Sequence, residues 1–376
     1  MVFAYNSYTS NPVAEIVNTQ SGNNKSKNFN LNAVAYFEVQ PIKNLTYRSQ
    51  AYYKQYSSLW KGYTGEYKIN DQGNAADQST LSENMTIGWN WGVTNTLNYK
   101  FDLPKEHHFD VLVGTEYSRE GNNMAETLEA IAKGNVFTDF SHAYFDNFTG
   151  RTGLATVGGY PVDDHSILSY FGRVNYDYKE RYMFTAIMRG DGSSNFADGH
   201  RWGYFPSFSA GWVISNEQFM QSTTNWLDFL KLRASWGQNG NSDIANFQYL
   251  STIAFDQSYV FGTDKITQST GAYADILPNE DISWETSEQL DLGIDARFFN
   301  SRLGLAFDYY NKKTKDWLVQ APVPLIYGTG APYINGGDIE NKGFEVALNW
   351  NDMIRDFNYG INFNLAYNKN EVTRIA

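Results

Sequence analysis

From Leu168 onward the chain alternates apolar and polar residues with a period of two. Leu168–Tyr178 places Leu168, Tyr170, Gly172, Val174 and Tyr176 on one face. Ser169, Phe171, Arg173, Asn175 and Asp177 take the other. After the tight connection Lys179-Glu180-Arg181 the alternation resumes over Tyr182–Asp191, and again over Gly203–Ser215 beyond a glycine-rich loop. Period two is the mark of a β-strand with two different faces. Runs of about ten residues exceed the usual five or six of a soluble sandwich and match the length a strand needs to cross an outer membrane.

The same pattern along the chain predicts nine further strands: Phe29–Val39, Leu45–Tyr56, Asn84–Tyr99, His108–Tyr117, Leu230–Gln238, Trp284–Phe299, Leu303–Tyr310, Lys342–Asn351 and Phe357–Val372. In Asn84–Tyr99, Met85, Ile87, Trp89, Trp91, Val93 and Leu97 share a face. Residues 1–28 carry no periodicity and read as a loop entering the barrel portion, 29–376. The other long loops are predicted at Ser57–Glu83, Ser118–Ser166, Asn239–Ser283 and Val319–Asp338. A short helix is expected at Met124–Lys133, and a helical turn in Asn216–Phe229. Short connections follow the odd-numbered strands, with a medium one after the seventh. Longer ones follow the even-numbered strands. Sorting loops by length onto two sides is the arrangement of an antiparallel transmembrane β-barrel with short periplasmic turns and long extracellular loops. A soluble all-β fold has no reason to sort them.

Composition supports this reading. The chain has 376 residues, and aromatics make up 16% of it, with 27 Tyr, 25 Phe and 10 Trp. Such a content suits aromatic belts at two membrane interfaces. Mean hydropathy is −0.50. That value is compatible with a barrel because half of each strand faces a polar lumen. The net charge of −12 argues against nucleic acid as a partner. With no cysteine there is neither a disulfide nor a thiolate metal site.

Catalytic motifs are absent: no nucleophile elbow, no H-E-x-x-H, no Walker loop. The reading is therefore not an enzyme. Gly190-Asp191-Gly192-Ser193-Ser194-Asn195 lacks the third glycine of a dinucleotide loop and reads as a turn at a strand end. No cofactor is expected, and the five histidines lack ligand spacing; His107 and His108 are expected in solvent. The adjacent acids Asp163-Asp164 and Glu280-Asp281 read as solvated loops, with a loop calcium as the alternative. The polar strand faces carry the candidate chemistry. Arg173, Asn175, Asp177, Arg189, Asp291, Asp295 and Arg297 cannot face lipid cheaply, since an arginine at midplane costs roughly 2–4 kcal/mol. They are expected to face a lumen or a plug inside it. Trp60, Tyr63, Tyr144, Tyr259, Phe261, Tyr327 and Tyr333 are loop aromatics that either contact substrate or partner, or pack the loops on themselves.

Several segments resemble the SusC/RagA family of TonB-linked (TonB-dependent) outer-membrane transporters, barrel portion. They are Tyr170-Phe171-Gly172-Arg173-Val174-Asn175-Tyr176, Arg189-Gly190-Asp191-Gly192-Ser193-Ser194, Trp202-Gly203-Tyr204-Phe205-Pro206-Ser207 and Ala210-Gly211-Trp212. Further along come Leu230 to Asn241 (LKLRASWGQNGN), Trp284-Glu285-Thr286-Ser287-Glu288-Gln289, Asp308 to Asp316 (DYYNKKTKD) and Glu340-Asn341-Lys342-Gly343-Phe344-Glu345. The resemblance implies a 22-stranded barrel with an N-terminal plug and a TonB-contacting segment, energised by TonB-ExbB-ExbD. It also implies a SusD-like surface lipoprotein as lid, and import of oligosaccharides or peptides across the outer membrane of a Gram-negative, Bacteroidota-type bacterium.

No plug, TonB box or terminal aromatic strand is evident in the sequence, so a fragment of a longer transporter is expected. The alternatives are a complete passive 12-stranded channel and a surface adhesin barrel. If the fragment reading holds, outer membranes carry the sequence in a polypeptide about twice the 42.8 kDa of this chain or more, as a wide plugged barrel needs. A band near 43 kDa would favour the small closed channel.

Overall fold

The computed structural model describes residues 24–65, 67–68, 75–76, 78–132, 140–147, 156–159, 164–261 and 267–375. Twelve strands form one sheet: β1 (Asn24–Ile42), β2 (Leu45–Thr64), β3 (Ser79–Leu103), β4 (His107–Ala132), β5 (Asp164–Tyr178) and β6 (Tyr182–Ser193), then β7 (Trp202–Val213), β8 (Leu227–Asn241), β9 (Glu285–Phe298), β10 (Leu303–Lys315), β11 (Gly337–Ile354) and β12 (Phe357–Ile375). Each pairs with its neighbour in sequence, from β1 to β12, and Thr156–Gly159 adds a short thirteenth strand against β4. The ladders from β5 through β12 are all antiparallel. Among the described residues no ladder joins β1 to β12.

All twelve expected strands are present, but several run longer. β1 begins at Asn24, so Asn24–Asn28 are strand; the remainder of the expected entry loop lies outside the described residues. β2 continues through Trp60 to Thr64, and β3 starts at Ser79. β4 runs for 26 residues, through the segment expected to be a helix. Met124–Lys133 is rich in helix formers, yet Glu126–Glu129 pair with Thr156–Gly159, and ladder pairing overrides intrinsic propensity. The helical turn expected in Asn216–Phe229 appears as short 3₁₀ turns, Ile214–Asn216 and Gln218–Thr223. Three small antiparallel pairs stand in the loops among the described residues: Tyr67–Lys68 with Ala75–Ala76, Ile253–Phe261 with Thr267–Ala274 and Leu318–Gln320 with Tyr333–Asn335.

The chain forms two compact units. One comprises Met1–Ala35, Ala51–Gly92 and Arg119–Asp164, the turn-distal parts of β1–β4 with their loops. The other comprises Tyr36–Gln50, Val93–Ser118 and His165–Ala376. In the first, Tyr63, Leu81, Ala130, Ala132, Phe140 and Ala143 make a small core. In the second, the loops pack on Phe196, Ile244 and Ile282.

In the second unit the register keeps the two faces unmixed across the middle of the strands, with one-residue shifts only near strand ends at Leu227/Phe229 and Asp338/Ile339. Val174, Ala186, Phe208, Trp236, Leu290 and Asn311 follow one another across β5–β10. Leu292, Tyr309, Phe344 and Tyr367 form a parallel row across β9–β12. Tyr170, Phe184, Phe208, Trp212, Leu232, Leu292, Ile294 and Tyr309 are exposed on that face. A contiguous apolar surface of this extent belongs against hydrocarbon.

Aromatic rings edge it at both ends. Near the short turns Tyr182 stacks on Tyr178 and Trp212 with centroids 6.2 and 6.3 Å away. Toward the long loops Tyr170 stacks on Trp202 at 5.9 Å, and Phe344 on Tyr367 at 5.7 Å. These are the girdles of a membrane barrel.

The short turns use left-handed residues, including Asn44, Lys105, Glu106, Lys179, Glu180 and Arg355. Such backbone matches the twist of paired strands. Backbone bonds link neighbouring turns, for example Val213 N to Arg181 O at 2.8 Å and Asn351 N to Arg302 O at 2.8 Å. Glu217 fastens one of them: it accepts from Tyr182 Oη and from Trp212 Nε1, and faces Arg181 at 3.3 Å.

Two predictions follow the two faces and this turn. Val346→Lys in the full-length protein should cost about 2–4 kcal/mol of stability in vesicles, as a charge in lipid does. Asn364→Lys, on the opposite face, should cost far less in the same denaturant titration. Second, the hydrogen bond from Tyr182, then that from Trp212, hold the Glu217 carboxyl below the usual carboxylate range. Its contribution is therefore complete above the ordinary carboxylate pKa and is lost as pH falls through the lowered value. Glu217→Gln should flatten that part of the acid unfolding profile.

Candidate functional site

The seven polar candidates all fall on the face opposite the apolar band. Register pairs Ser169 with Asp191, Phe171 with Arg189, Arg173 with Ile187 and Asn175 with Thr185. On β8–β10 the same face carries Arg233, Asp291, Asp295, Arg297 and Asp308. Alternation alone explains this placement, since same-parity residues of a strand share a face.

Three groups of side chains form on this face. Arg173 lies 3.7 Å from Asp110, which also accepts from Asn98 Nδ2 at 3.0 Å. Arg189 donates from Nε to Asp191 at 2.7 Å and from Nη2 to Ser169 Oγ at 2.9 Å, with Glu116 at 3.3 Å. Its guanidinium also lies over the Phe171 ring, 5.3 Å from the centroid. Arg233 donates from Nε to Asp295 at 2.7 Å and from Nη2 to Asp308 at 2.8 Å. Gly293 lies between Arg233 and Asp308 in the register. A Cβ at Gly293 would come within 2.6 Å of Arg233 Cζ. The glycine leaves the space in which the guanidinium reaches across a strand.

The remaining candidates separate. Arg297 sits over the Phe229 ring at 5.5 Å. Asn175 accepts from Thr185 Oγ1 at 2.9 Å. Asp177 accepts from the Glu180 N–H at 3.0 Å and so serves the turn. Asp291 is set between Ser235 and Tyr310 in register.

The partners Asp110, Glu116, Asp191, Arg233 and Asp308 were not among the expected site residues. Their parity on the strands marks their face, but the pairing joins residues as far as 75 apart, a distance periodicity does not bridge.

The loop aromatics divide differently from expectation. Trp60 and Tyr63 belong to β2, not to a loop. Tyr63 is 6% exposed in the first unit's core. Tyr333 packs against the Phe196 core. Tyr144 is exposed, with Lys61 Nζ 4.7 Å from its ring centroid. Tyr327 ends a turn whose Leu325 and Ile326 are 98% and 93% exposed. Tyr259 and Phe261 are in the hairpin strand Ile253–Phe261, and their side chains lie outside the described residues.

His107, expected in solvent, has Nδ1 2.8 Å from Tyr176 Oη and its ring 4.4 Å from that of Tyr178. Of the acids considered for calcium, Asp281 stands 3.8 Å from His200 and Asp164 pairs with Arg119; Asp163 lies outside the described residues. Among the described residues no three histidine or acidic side chains gather as a metal site would require. Asn195, from the glycine-rich turn, is buried and donates to Ser242 O at 3.0 Å, tying that turn to the next loop.

A registered sheet with a polar face, an apolar face and aromatic edges can be compared with known proteins. The sequence matches the family described as "TonB dependent receptor-like, beta-barrel" over residues 2–375. The chain belongs to that family.

Among curated relatives, "TonB-dependent receptor P3" of Formosa agariphila is 34% identical over 298 residues, 79% of this chain and 27% of its own length. "TonB-dependent receptor SusC" of Bacteroides thetaiotaomicron is 32% identical over 331 residues, 83% of this chain and 31% of its own. The chain thus spans about a third of the curated relatives it matches. Among solved structures, that of the RagAB peptide transporter matches with a TM-score of 0.78 and 28% identity, over 94% of this chain and 37% of that one. The ferric citrate transporter FecA matches at 0.54 and 11% identity, over 96% and 46%, a likeness of fold alone. The family resemblance in the motifs, the transmembrane β-barrel fold and the outer-membrane location are thereby established for this TonB-dependent receptor wall.

Removing Arg233 from its two carboxylates gives a direct test of the charged face. Arg233→Met should lower unfolding stability of the full-length receptor by about 1–3 kcal/mol, the range for hydrogen bonds to charged groups. A second change, Asp308→Asn, should then cost less than it does alone. Additive costs in that cycle would contradict the contact.

Proposed function

We propose that this chain is the barrel wall of an energised outer-membrane importer of nutrient oligomers, oligosaccharides or peptides. The observation that supports this most is the similarity, at 28% identity over 94% of the chain, to a chain of a structure named as a peptide transporter. The relative named SusC points the same way.

The wall's physics suits the role. An apolar face holds it in lipid, and each strand inside the sheet is laddered to a neighbour on both sides, as backbone crossing hydrocarbon requires. The polar face offers Arg173, Arg189 and Arg233 in fixed geometry to whatever fills the lumen. In this reading that filling is a plug domain, and the plug's TonB box passes force from TonB-ExbB-ExbD. In this reading the long connections are extracellular, where a SusD-like lipoprotein would close the barrel over captured substrate. Tyr144 and Tyr327 are the exposed loop aromatics, among the candidates described, that remain available to substrate or lid. The reading assigns the chain no covalent chemistry of its own and no resident cofactor.

The test is genetic and energetic. Cells lacking the gene should lose uptake of at least one peptide or oligosaccharide class. A protonophore should abolish that uptake in the parent while leaving surface binding intact. Uptake that survives the protonophore would instead fit the passive channel, and loss of attachment without loss of uptake would fit the adhesin.

A further inference from the structure

The polar face changes character along the sheet. Across β4–β6 and β8–β10 it is charged, and Arg173, Arg189 and Arg233 are each engaged by carboxylates. On β12 the same face reads Asn358, Gly360, Asn362, Asn364, Ala366, Asn368 and Asn370, seven alternate residues without a charge. Register carries the carboxamides onto β11, where Asn349 faces Asn362 and Asn341 faces Asn370. Asn370 Nδ2 donates to Asn341 Oδ1 at 2.7 Å. Across the register Asn364 faces Ala347 and Asn368 faces Gly343, so the carboxamides of β12 stand beside small, uncharged residues of β11. Glu345 is the one charged neighbour on β11 within this patch, opposite Ala366.

Register sets Ala366 opposite Glu345, and Glu345 opposite Asp308, so this row lies on the polar face, away from the apolar band. It is poorly suited to gripping a fixed protein element, which the charged strands do with directed, multidentate contacts. It is well suited to a chain that moves. Each carboxamide offers both donor and acceptor. Alternate residues of a strand recur every ~6.6–6.8 Å, and an extended peptide repeats with the same step. A peptide main chain lying along β12 therefore meets a carboxamide at every second residue. Neutral hydrogen bonds of roughly 0.5–1.5 kcal/mol each favour entry and still permit release, the balance that conduction requires. The absence of charge makes the contact indifferent to the peptide's side chains.

We infer that the asparagine row of β12, continued by Asn341 and Asn349 of β11, is a track for the main chain of an extended peptide passing between barrel wall and plug. This rests on the importer reading above and goes further in naming the strand and the substrate class.

The experiment uses the full-length receptor with its lid partner in native cells. The variant is Asn362→Ala, Asn364→Ala and Asn368→Ala combined; a second carries glutamine at the same three positions. Four quantities are measured: uptake of a defined neutral peptide, uptake of a neutral oligosaccharide of similar mass, peptide binding at the surface of de-energised cells, and entry of a bulky antibiotic. Heat-shift gels check abundance and folding.

The expected result is peptide uptake reduced on the order of tenfold in the alanine variant, with binding, abundance and antibiotic entry unchanged. The glutamine variant should retain most uptake. Unchanged peptide uptake overturns the track. Raised antibiotic entry shows that the row seats the plug and also overturns it. A parent that imports the oligosaccharide and not the peptide overturns the substrate class while leaving the importer reading intact. A parent that imports neither overturns the importer reading, and the track with it.

Discussion

A backbone amide that crosses hydrocarbon must be paired within protein, and the strand register that achieves this determines everything else in the chain. Because side chains alternate, a slip of one residue between any two strands would move an apolar row to the polar face. From β5 to β12 the ladders carry no such exchange through the middle of the strands; the shifts stand at strand ends, at Leu227/Phe229 between β8 and β9 and at Asp338/Ile339 between β11 and β12. Phe208 lies opposite Ala186 and Trp236, Tyr309 opposite Leu292 and Phe344. One register thus satisfies the backbone, supplies the lipid face and sets the charged groups on the other side.

The charged face shows how tightly its geometry depends on that pairing. Arg233 reaches Asp308 only because Gly293 stands between them without a side chain. Arg189 is fixed by residues from three strands, Asp191, Ser169 and Glu116. Such groups are costly to hold in a wall and gain their place through what they meet inside it. The contrast with the uncharged row of β12 divides the wall into parts suited to holding and a part suited to passage.

Much of this was legible in the sequence. Strict alternation marked the membrane-crossing part of every strand, and short connections marked one side. What alternation did not mark is where strands continue beyond the membrane. Trp60 and Tyr63 sit among polar and glycine residues that read as loop, yet they continue β2. Met124–Lys133 carries helix formers, and only a partner segment some thirty residues away makes it strand. The candidate site was half legible for the same reason. The face of Arg173 or Asp295 follows from parity, whereas the partner of Arg119, Asp164, is 45 residues away. Long-range pairing is set by the fold and leaves no local trace.

The most direct test of the account is a scan of its period. Nitroxide labels placed singly from Phe344 to Trp350 in the full-length receptor, reconstituted in vesicles, report access to oxygen dissolved in lipid and to a water-soluble relaxing agent. The account predicts oxygen maxima at Phe344, Val346, Leu348 and Trp350, and minima at Glu345, Ala347 and Asn349. Loss of the two-residue period, or maxima at the odd positions, would contradict a wall that separates lipid from lumen by register.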